Sequence, residues 1–295
     1  MSLSELTDAL PERLPDGLSY NSLGEKFLGV LSRKSIHIQP SSANHFSPEG
    51  QRVIRLNIVA NEYMIPGSFR LQFKFKVTAD AYAPLGPASL LFDRVRVISN
   101  GVTISDENYF DRMQTLLHQW MDREQYKEIC NESFNVLTDE VSDEGVPTFT
   151  YVPVPVNTGI RVTVPFISTP IFCQKKLIPL RFMPLTLEIL LKDTYTSAAE
   201  GTTAKWALED CVGLCDVVQL DPGLEALINE RHRTDRIPLK MREWSTSRHQ
   251  MANPASATEF VLNTLKGVSQ LCKICVTFVG PDSVEEAVTL WFPPR

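Results

Sequence analysis

A strict two-residue alternation in the segment FRLQFKFKV, residues 69 to 77, constrains the fold more than any other feature of this chain. Every second side chain is apolar, and the side chains between them are polar or basic. Successive side chains of a β-strand point to opposite faces, so the segment predicts a strand with one buried and one solvated face. Burying each apolar side chain contributes roughly 1.5–3 kcal/mol, but ordering each residue costs about 1–2 kcal/mol. The strand therefore requires a larger sandwich around it.

The segment SNGVTISDENYF, residues 99 to 110, predicts a hairpin that continues into a helix. A type I′ turn needs positive φ at both central residues, and Asn100 and Gly101 tolerate this conformation. Two strands joined by this turn should share one apolar face. The predicted pairs across the hairpin are Ser99 with Val102 and Val97 with Ile104.

An apolar stripe at helical spacing predicts a helix over about residues 107 to 130. Asp106 is expected to cap this helix, and Glu107 is expected to lie in its first turn. Such a helix would be inserted between two strands of the sandwich. Its apolar stripe comprises Phe110, Met113, Leu116, Leu117, Trp120, Met121 and Cys130.

Strand character returns in three later segments, so strands dominate the whole central part of the chain. A doubly wound parallel sheet would need a helix after nearly every strand, and only one strong internal helix is predicted. Antiparallel strands with one inserted helix favour a mainly all-β fold, a jelly-roll β-sandwich. The three segments are IRVTVPFI (160 to 167), PLTLEILL (184 to 191) and KWALEDCVGLCDVVQLD (205 to 221).

Charge and composition exclude several classes of protein. The chain has 295 residues and a formal net charge of −6, which disfavours a surface that binds nucleic acid all over, because phosphate binding relies on basic surface. The first residues are acidic and proline-rich where a signal peptide would be basic and then apolar. No segment reaches the roughly 18 consecutive apolar residues of a membrane span. We expect no secretion, no membrane span and reduced cysteines.

Four cysteines suggest a metal-site hypothesis that their spacing disfavours. Cys272 and Cys275 lie an odd number of positions apart, so on a strand their side chains would point to opposite faces. Cys211 and Cys215 would share a face but lie roughly 13 Å apart, too far for one zinc ion whose bonds to sulfur are about 2.3 Å. We expect buried apolar thiols instead.

The other residues with catalytic or metal-binding chemistry form no recognised motif. The histidines are scattered and lack the spacing of a cupin-type metal site. The sequence contains no Gly-rich phosphate loop, zinc-protease His pair or nucleophile elbow. We therefore predict no catalytic, cofactor-binding or metal-ligating residue, no cofactor, and a protein that is not an enzyme. The histidines are His37, His45, His118, His232 and His249.

A basic cluster lies between two blocks of strand-like sequence, after a helix-like segment that begins at Pro222. It lacks interleaved aromatic residues for base stacking. A solvated connector or a salt bridge between subunits is therefore favoured over nucleic-acid contact. The cluster comprises Arg231, Arg233, Arg236, Lys240 and Arg242.

Three stretches of the chain share a recognisable pattern. They are PLGPASLLFDRVRVISNGVTISDENYFDRMQTLL (84 to 117), FCQKKLIPLRFMPLTLEILL (172 to 191) and WALEDCVGLCDVVQLD (206 to 221). Two features carry most of this pattern: a Leu-Phe strand that enters the Asn-Gly hairpin and a helix bearing Tyr109 and Arg112, and the passage QKKLIPLR, residues 174 to 181. Together the stretches resemble the first jelly roll of the double jelly-roll major capsid proteins of polinton-like viruses and related small double-stranded DNA viruses.

The resemblance implies a viral structural protein, the major capsid subunit. Such subunits are expected to form pseudo-hexameric homotrimers that tile an icosahedral shell. The expected partners are further copies of the chain, neighbouring capsomers, and penton and minor capsid proteins. Neither a small-molecule substrate nor a specific nucleic-acid sequence is expected. The expected location is the virion, after synthesis in the cytoplasm or nucleus of the host cell.

The sequence pattern and the resemblance together predict a domain organisation. Two short stretches of helical spacing, separated by prolines and ending at Leu31, predict an N-terminal arm over residues 1–44. The resemblance predicts a first jelly roll over 45–225, and a linker with the incomplete start of a second jelly roll over 226–295. The 60 residues from Arg236 onward can supply about half of the strands of a second jelly roll. Apolar strand faces such as Ile274, Val276 and Phe278 would then lack partners, and we expect the isolated chain to be poorly soluble.

The alternative interpretation is a lectin-like sandwich that binds a ligand. It would require a concave aromatic patch on the surface. The tryptophans are dispersed in the sequence, which disfavours such a patch. They are Trp120, Trp206, Trp244 and Trp291.

Overall fold

The computed structural model of the chain describes most residues between Val30 and Thr246, and all of these belong to one compact unit. The described ranges are 30–84, 86–118, 121–134, 136–141, 147–194, 199–200 and 204–234, together with residues 241, 244 and 246. In chain order, the helices of these ranges are α1 (Phe110–His118), α2 (Arg123–Ser133) and α3 (Pro222–Thr234), with 3-10 turns at Pro66–Ser68 and Ala88–Leu91. The strands are β1 (Val30–Ile38), β2 (His45–Phe46), β3 (Val53–Ile58), β4 (Tyr63–Met64), β5 (Arg70–Ala79), β6 (Ala83–Pro84), β7 (Phe92–Ser99), β8 (Val102–Asn108), β9 (Val136–Val141), β10 (Pro147–Tyr151), β11 (Gly159–Pro165), β12 (Ile178–Pro179), β13 (Leu185–Leu191), β14 (Ala199–Glu200) and β15 (Lys205–Leu220).

Eight strands form the two main antiparallel sheets. In sheet 1 the order is β1-β15-β5-β11, with the short strands β2, β4 and β12 added to it. In sheet 2 the order is β3-β13-β7-β8. Counted one to eight along the chain, these strands follow the orders 1-8-3-6 and 2-7-4-5, which is the strand order of a jelly roll. The predicted fold class is therefore confirmed.

The core lies between the inner faces of the two sheets. The alternation in β5 works as predicted, since Leu71, Phe73, Phe75 and Val77 are each at most 1% exposed. Phe73 meets Phe92 of sheet 2 edge to face, with 6.2 Å between ring centroids. Aromatic side chains from both sheets thus join the sheets through one apolar layer.

The turn of the predicted hairpin is confirmed. Asn100 and Gly101 have φ angles of 48° and 80°, and Ser99 pairs with Val102 on either side of them. Both central residues therefore adopt the left-handed conformation that a type I′ turn requires. This hairpin joins β7 to β8.

The predicted register beyond the turn is wrong by one residue. Val97 pairs with Ser105 rather than with Ile104, because β8 contains a bulge at this point. An extra residue in one strand reverses which side chains face the core. As a consequence Ser105 and Glu107 are buried, while Asp106 lies on the outer face.

The predicted helix over residues 107–130 is also corrected. β8 continues through Asn108, which pairs with Arg94, so the residues expected to start the helix belong to a sheet. Tyr109, with φ of 55°, marks the change of direction into α1. A second helix, α2, starts after Asp122, whose extended backbone separates it from α1. Asp106 therefore does not cap a helix.

Part of the predicted N-terminal arm belongs to the sandwich. β1 lies within residues 1–44, yet it pairs with β15 along most of its length, down to Ile38 opposite Gly213. The helical spacing that included Leu31 is wrong there, because Leu31 lies in this strand. The helix-like segment at Pro222 is confirmed as α3. The predicted linker and second jelly roll lie outside the described residues, apart from residues 226–234 of α3 and residues 241, 244 and 246.

Candidate functional site

The outer face of sheet 2 carries a ladder of ion pairs across three strands. Glu188 of β13 accepts hydrogen bonds from Arg55 of β3 and Arg96 of β7, on either side of it. Burial alone would raise the pKa of Glu188, but the hydrogen bonds from the two guanidinium groups outweigh it and hold the pKa below its usual range. Glu188 thus fixes the positions of both neighbouring strands.

A second ion pair extends the ladder to the edge of sheet 2. Arg94 of β7 binds Asp106 of β8 through two nitrogen atoms, with Nε donating to Oδ1 at 2.6 Å. This bidentate pairing also raises the pKa of Arg94 above its usual range. The bulge in β8 creates the pair, because it moves Asp106 to the outer face beside Arg94.

The same bulge places a carboxyl group inside the molecule, where it helps to attach α1. Glu107 accepts hydrogen bonds from the hydroxyl groups of Ser168 at 3.0 Å and Ser105 at 3.4 Å. Gln114 of α1 donates in turn to Ser168 at 2.6 Å. All four side chains are buried. A polar network therefore connects α1 to β8 and to the segment after β11.

A largely buried ion pair forms a second attachment of α1. Asp111 of α1 binds Lys192, which follows β13, and the two side chains are 10% and 15% exposed. Nearby, burial raises the pKa of Asp93. The positive charge of Lys192 acts against this rise, and neighbouring carboxylates add to it. Breaking a pair of this kind would leave a charge with little water around it. The pair therefore holds α1 firmly against sheet 2.

The second helix of the insertion is attached through buried aromatic and thiol groups. Cys130 of α2 lies 3.1 Å from the hydroxyl of Tyr151, with either atom as donor. Tyr126 packs against His118 at the end of α1, with 5.0 Å between ring centroids. Burial lowers the pKa of His118 to about 4, so this imidazole is neutral at physiological pH. These contacts join α1, α2 and β10 within the insertion between β8 and β11, and Cys130 also belongs to the buried core.

Two groups of exposed or partly exposed charges remain on this framework. We call Arg70, Lys74 and Arg161, on the outer face of sheet 1, the basic face. We call Glu124, Glu128 and Glu132, along α2, the acidic stripe. Neither group forms an ion pair within the described ranges.

Exposed apolar side chains gather at one end of sheet 2. Val59 and Val102 are 67% and 68% exposed, and Phe182 is 37% exposed. Asn100 donates a hydrogen bond to the carbonyl of Phe182 at 3.4 Å, and Leu185 pairs with residues at the ends of β3 and β7. This end therefore presents apolar surface around the hairpin.

The structure tests part of the metal-site hypothesis. Cys211 and Cys215 are buried, as predicted, and burial raises the pKa of each thiol to about 12. Cys272 and Cys275 lie outside the described residues. Within the described ranges, no three His, Cys, Asp or Glu side chains are grouped as metal ligands. Both described cysteines of the hypothesis are therefore unreactive parts of the core.

The histidines lie apart from one another. His37 is exposed, and His45 lies 3.7 Å from a carboxylate oxygen of Glu209. His118 is buried between the two inserted helices. His232 lies in α3, and His249 falls outside the described residues. The described histidines thus belong to separate parts of the surface and core.

The two tryptophans within the described residues form no exposed aromatic patch of the kind that the lectin-like alternative requires. Trp206 is 1% exposed and packs in the core at 5.7 Å from Phe75, while Trp244 is partly buried against the core. Trp120, Trp291 and most of the basic cluster lie outside the described residues. Its first two members, Arg231 and Arg233, lie in α3.

The structure contains a small cavity that is below the usual size of a ligand pocket. The cavity lies beside Phe69, Phe166 and Phe172 and measures about 170 Å³, whereas small-molecule pockets have roughly 300–1,000 Å³. Among the described helices, none has the length and apolar character needed to cross a membrane.

The charged residues of the site were only partly visible in the sequence. Glu188 interrupts an otherwise apolar strand, and a charge in such a run is a signal for a cross-strand pair. Glu107 gave no such signal, because its burial depends on the bulge in β8. The sequence therefore indicated the outer ladder better than the inner network.

Known families and curated sequences offer no match to this chain. No protein-family description matches it, and no curated protein matches it either.

Several solved structures have a backbone fold similar to that of this chain. PBCV-1 VP54, as fitted into a cryo-EM reconstruction of the virophage Sputnik, has 18% identity and a TM-score of 0.45 over 68% of this chain and 44% of its own. The cryo-EM structure of the Sputnik virophage has 10% identity and a TM-score of 0.44 over 66% of this chain and 49% of its own. The STIV MCP has 10% identity and a TM-score of 0.35 over 68% and 51%. The chain spans about half the length of these structures, and TM-scores below 0.5 assign no function.

Proposed function

We propose that this chain is a major capsid subunit of a double-stranded DNA virus, which assembles as pseudo-hexameric homotrimers into an icosahedral shell. The observation that carries the proposal is the jelly-roll strand order, built from the same segments that resemble double jelly-roll capsid proteins. The segment 84–117 spans β7, β8 and most of α1, and the segments 172–191 and 206–221 span β12, β13 and β15. The resemblance thus includes β7 and β13 in the middle of sheet 2 and β15 in the middle of sheet 1.

The insertion between β8 and β11 supports a role in contacts between subunits. Loops and insertions on a fixed scaffold are where binding surfaces are usually built. Here α1 is held by the Asp111–Lys192 pair and by Gln114, so its outer surface keeps one orientation relative to the sheets. A preformed surface loses less entropy on association than a mobile one. Obligate oligomers bury on the order of 2,000–5,000 Å² in such contacts.

The proposal includes the finer expectations of the resemblance. The virus would be polinton-like or related to that group, and the subunit would reside in the virion after synthesis in the host cytoplasm or nucleus. Neighbouring capsomers, penton proteins and minor capsid proteins would be its partners. Residues before Val30 would form the arm, and residues from 226 onward would form the linker and the start of a second jelly roll.

The oligomeric state of the full chain tests this proposal. We expect sedimentation velocity to show a species of three times 33.2 kDa, and negative-stain electron microscopy to show particles with threefold symmetry. A chain that sediments as a homogeneous monomer at every concentration would contradict the proposal. A chain with glycan binding of micromolar strength and no self-association would favour the lectin-like alternative.

A further inference from the structure

The basic face concentrates like charges on two neighbouring strands. Lys74 of β5 lies directly opposite Arg161 of β11 in the ladder, an arrangement that is destabilising when no counter-charge is present. Glu209 lies opposite Lys74 on the other side, but its carboxylate binds Lys76 at 3.2 Å. The charges of Lys74 and Arg161 are therefore not neutralised within the described part of the sheet.

Neutral contacts hold the cations of the basic face in place. Arg161 donates to the amide oxygen of Gln72 at 3.3 Å. Lys74 extends over Gly159, where an added Cβ would lie 2.3 Å from the Lys74 Cε atom. Arg70 donates to backbone carbonyls at 3.0 and 3.1 Å. These contacts orient the side chains, but they leave the three positive charges available to a partner.

The acidic stripe has the complementary property. Glu124, Glu128 and Glu132 are exposed and spaced four residues apart, so they lie on one side of α2. Like charges at this spacing destabilise an isolated helix. Cys130 and Ser133 on the same helix are buried, so the stripe lies on a helix whose other side is attached to the core.

The dimensions of the two surfaces agree. Helical rise places Glu124 and Glu132 about 12 Å apart, and strand rise places Arg70 and Lys74 about 13 Å apart. Arg161 lies beside Lys74, roughly 5 Å away between Cβ atoms. When a helix lies along the strand, the carboxylates at the two ends of the acidic stripe can thus meet Arg70 at one end and Lys74 with Arg161 at the other.

We propose that the basic face of one copy of this chain binds the acidic stripe of a second copy. The inference rests on the proposed function, because it assigns residues to a contact between subunits. Two different surfaces of one chain that bind each other form a heterologous contact, the kind that closes a ring of three subunits. Electrostatic complementarity of this kind determines the register and specificity of association more than its total affinity.

Charge reversal in the full chain tests the proposed contact. The first variant carries Glu124→Lys, Glu128→Lys and Glu132→Lys, the second carries Lys74→Glu and Arg161→Glu, and the third combines all five substitutions. Sedimentation velocity of the soluble fraction gives the oligomer distribution, and circular dichroism verifies that each variant is folded. We expect each of the first two variants to raise the apparent dissociation constant at least about tenfold, and the third to restore association.

A matched control variant and a heparin-binding measurement complete the test. Lys175→Glu with Lys176→Glu reverses two exposed cations of the same jelly roll outside the basic face, and we expect no change in the oligomer. Trimers that persist in both single-surface variants, or a combined variant that stays folded but monomeric, would overturn the inference and leave the proposed function standing. Absence of oligomers from the wild-type chain would overturn both. Loss of heparin binding in Lys74→Glu/Arg161→Glu, with unchanged trimers, would assign the basic face to a polyanion and overturn the inference.

Discussion

The outer faces of the two sheets use charged residues in opposite ways. On sheet 2, Glu188 lies between Arg55 and Arg96 and forms an ion pair with each of them. On sheet 1, Lys74 lies opposite Arg161, and no carboxylate of the described residues lies within ion-pair distance of either. On sheet 2 these charges are therefore paired within the chain, whereas on sheet 1 Lys74 and Arg161 have no carboxylate partner among the described residues.

This difference separates charges that stabilise the fold from charges that bind. A cross-strand pair stabilises a sheet and fixes its register. A pair of like charges does neither. Substitutions on sheet 2 should therefore change the free energy of unfolding, while matched substitutions on the basic face should change association.

The largest effect should come from Glu188→Ala. The substitution leaves two guanidinium groups close together without their shared carboxylate, and the Glu188 side chain is only 9% exposed. Both arginines are partly exposed, so water compensates for part of the loss. We expect the free energy of unfolding to fall by about 2 kcal/mol, measured by urea denaturation of the full chain.

Thr186→Ala is the control for this substitution, because Thr186 lies two residues away on the same outer face. Its hydroxyl bonds the side-chain oxygen of Asn57 at 3.2 Å and carries no charge. We expect a loss of at most about 0.5 kcal/mol. If the two variants lost equal free energy of unfolding, the ion pairs of Glu188 would contribute no more to stability than an uncharged hydrogen bond on the same face.

Acidification should reveal the same ladder with a smaller effect. The pKa of Glu188 is lowered in the folded protein from 4.5, so its contribution to stability is fully present above pH 4.5 and is lost as the pH falls through the folded value. We expect the urea midpoints of wild type and Glu188→Gln to converge as the pH falls from about 6 to about 3. His118 also destabilises the fold on acidification, but it does so in both proteins. A constant difference between the midpoints would show that Glu188 has an ordinary pKa.

The sequence predicted the features of the two sheets that follow from local pattern, but not those that depend on the bulge in β8. The alternation in β5 predicted its strand correctly, because its two faces meet different surroundings. The turn at Asn100 and Gly101 was predictable from backbone conformation alone. The bulge in β8 has no marker in the sequence, and one additional residue was enough to exchange the positions of Asp106 and Glu107. The prediction of a helix start at these acids failed because β8 continues through Asn108.

The strand β1 was missed for a different physical reason. Its residues up to Ser35 are exposed on both faces, so they show no apolar alternation from which a strand could be predicted. Pairing with β15, about 180 residues later in the chain, determines its conformation. Arg33 and Ser35 both bind Asp216 of that strand. Long-range pairing of this kind overrides local pattern.

Asp106→Asn should have an intermediate effect on stability. The substitution removes the charge that Arg94 binds at the edge of sheet 2, but both side chains are about one-third exposed. We expect a loss of about 0.5–1 kcal/mol by urea denaturation. The loss should shrink at high salt, since ions screen an exposed pair. A salt-independent loss would indicate that the amide disturbs packing rather than the ion pair.

The smallest and most discriminating effect should come from Lys74→Ala on sheet 1. Removal of this cation relieves the repulsion with Arg161. We therefore expect the free energy of unfolding, measured by urea denaturation, to stay unchanged or to rise by up to about 0.5 kcal/mol. Lys76→Ala on the same strand and face is the matched control, because Lys76 does have a carboxylate partner in Glu209. That variant should lose about 0.2–1 kcal/mol. If both variants lost stability equally, Lys74 would contribute to the fold like any paired charge, and the contrast between the two sheets would fail at its central residue.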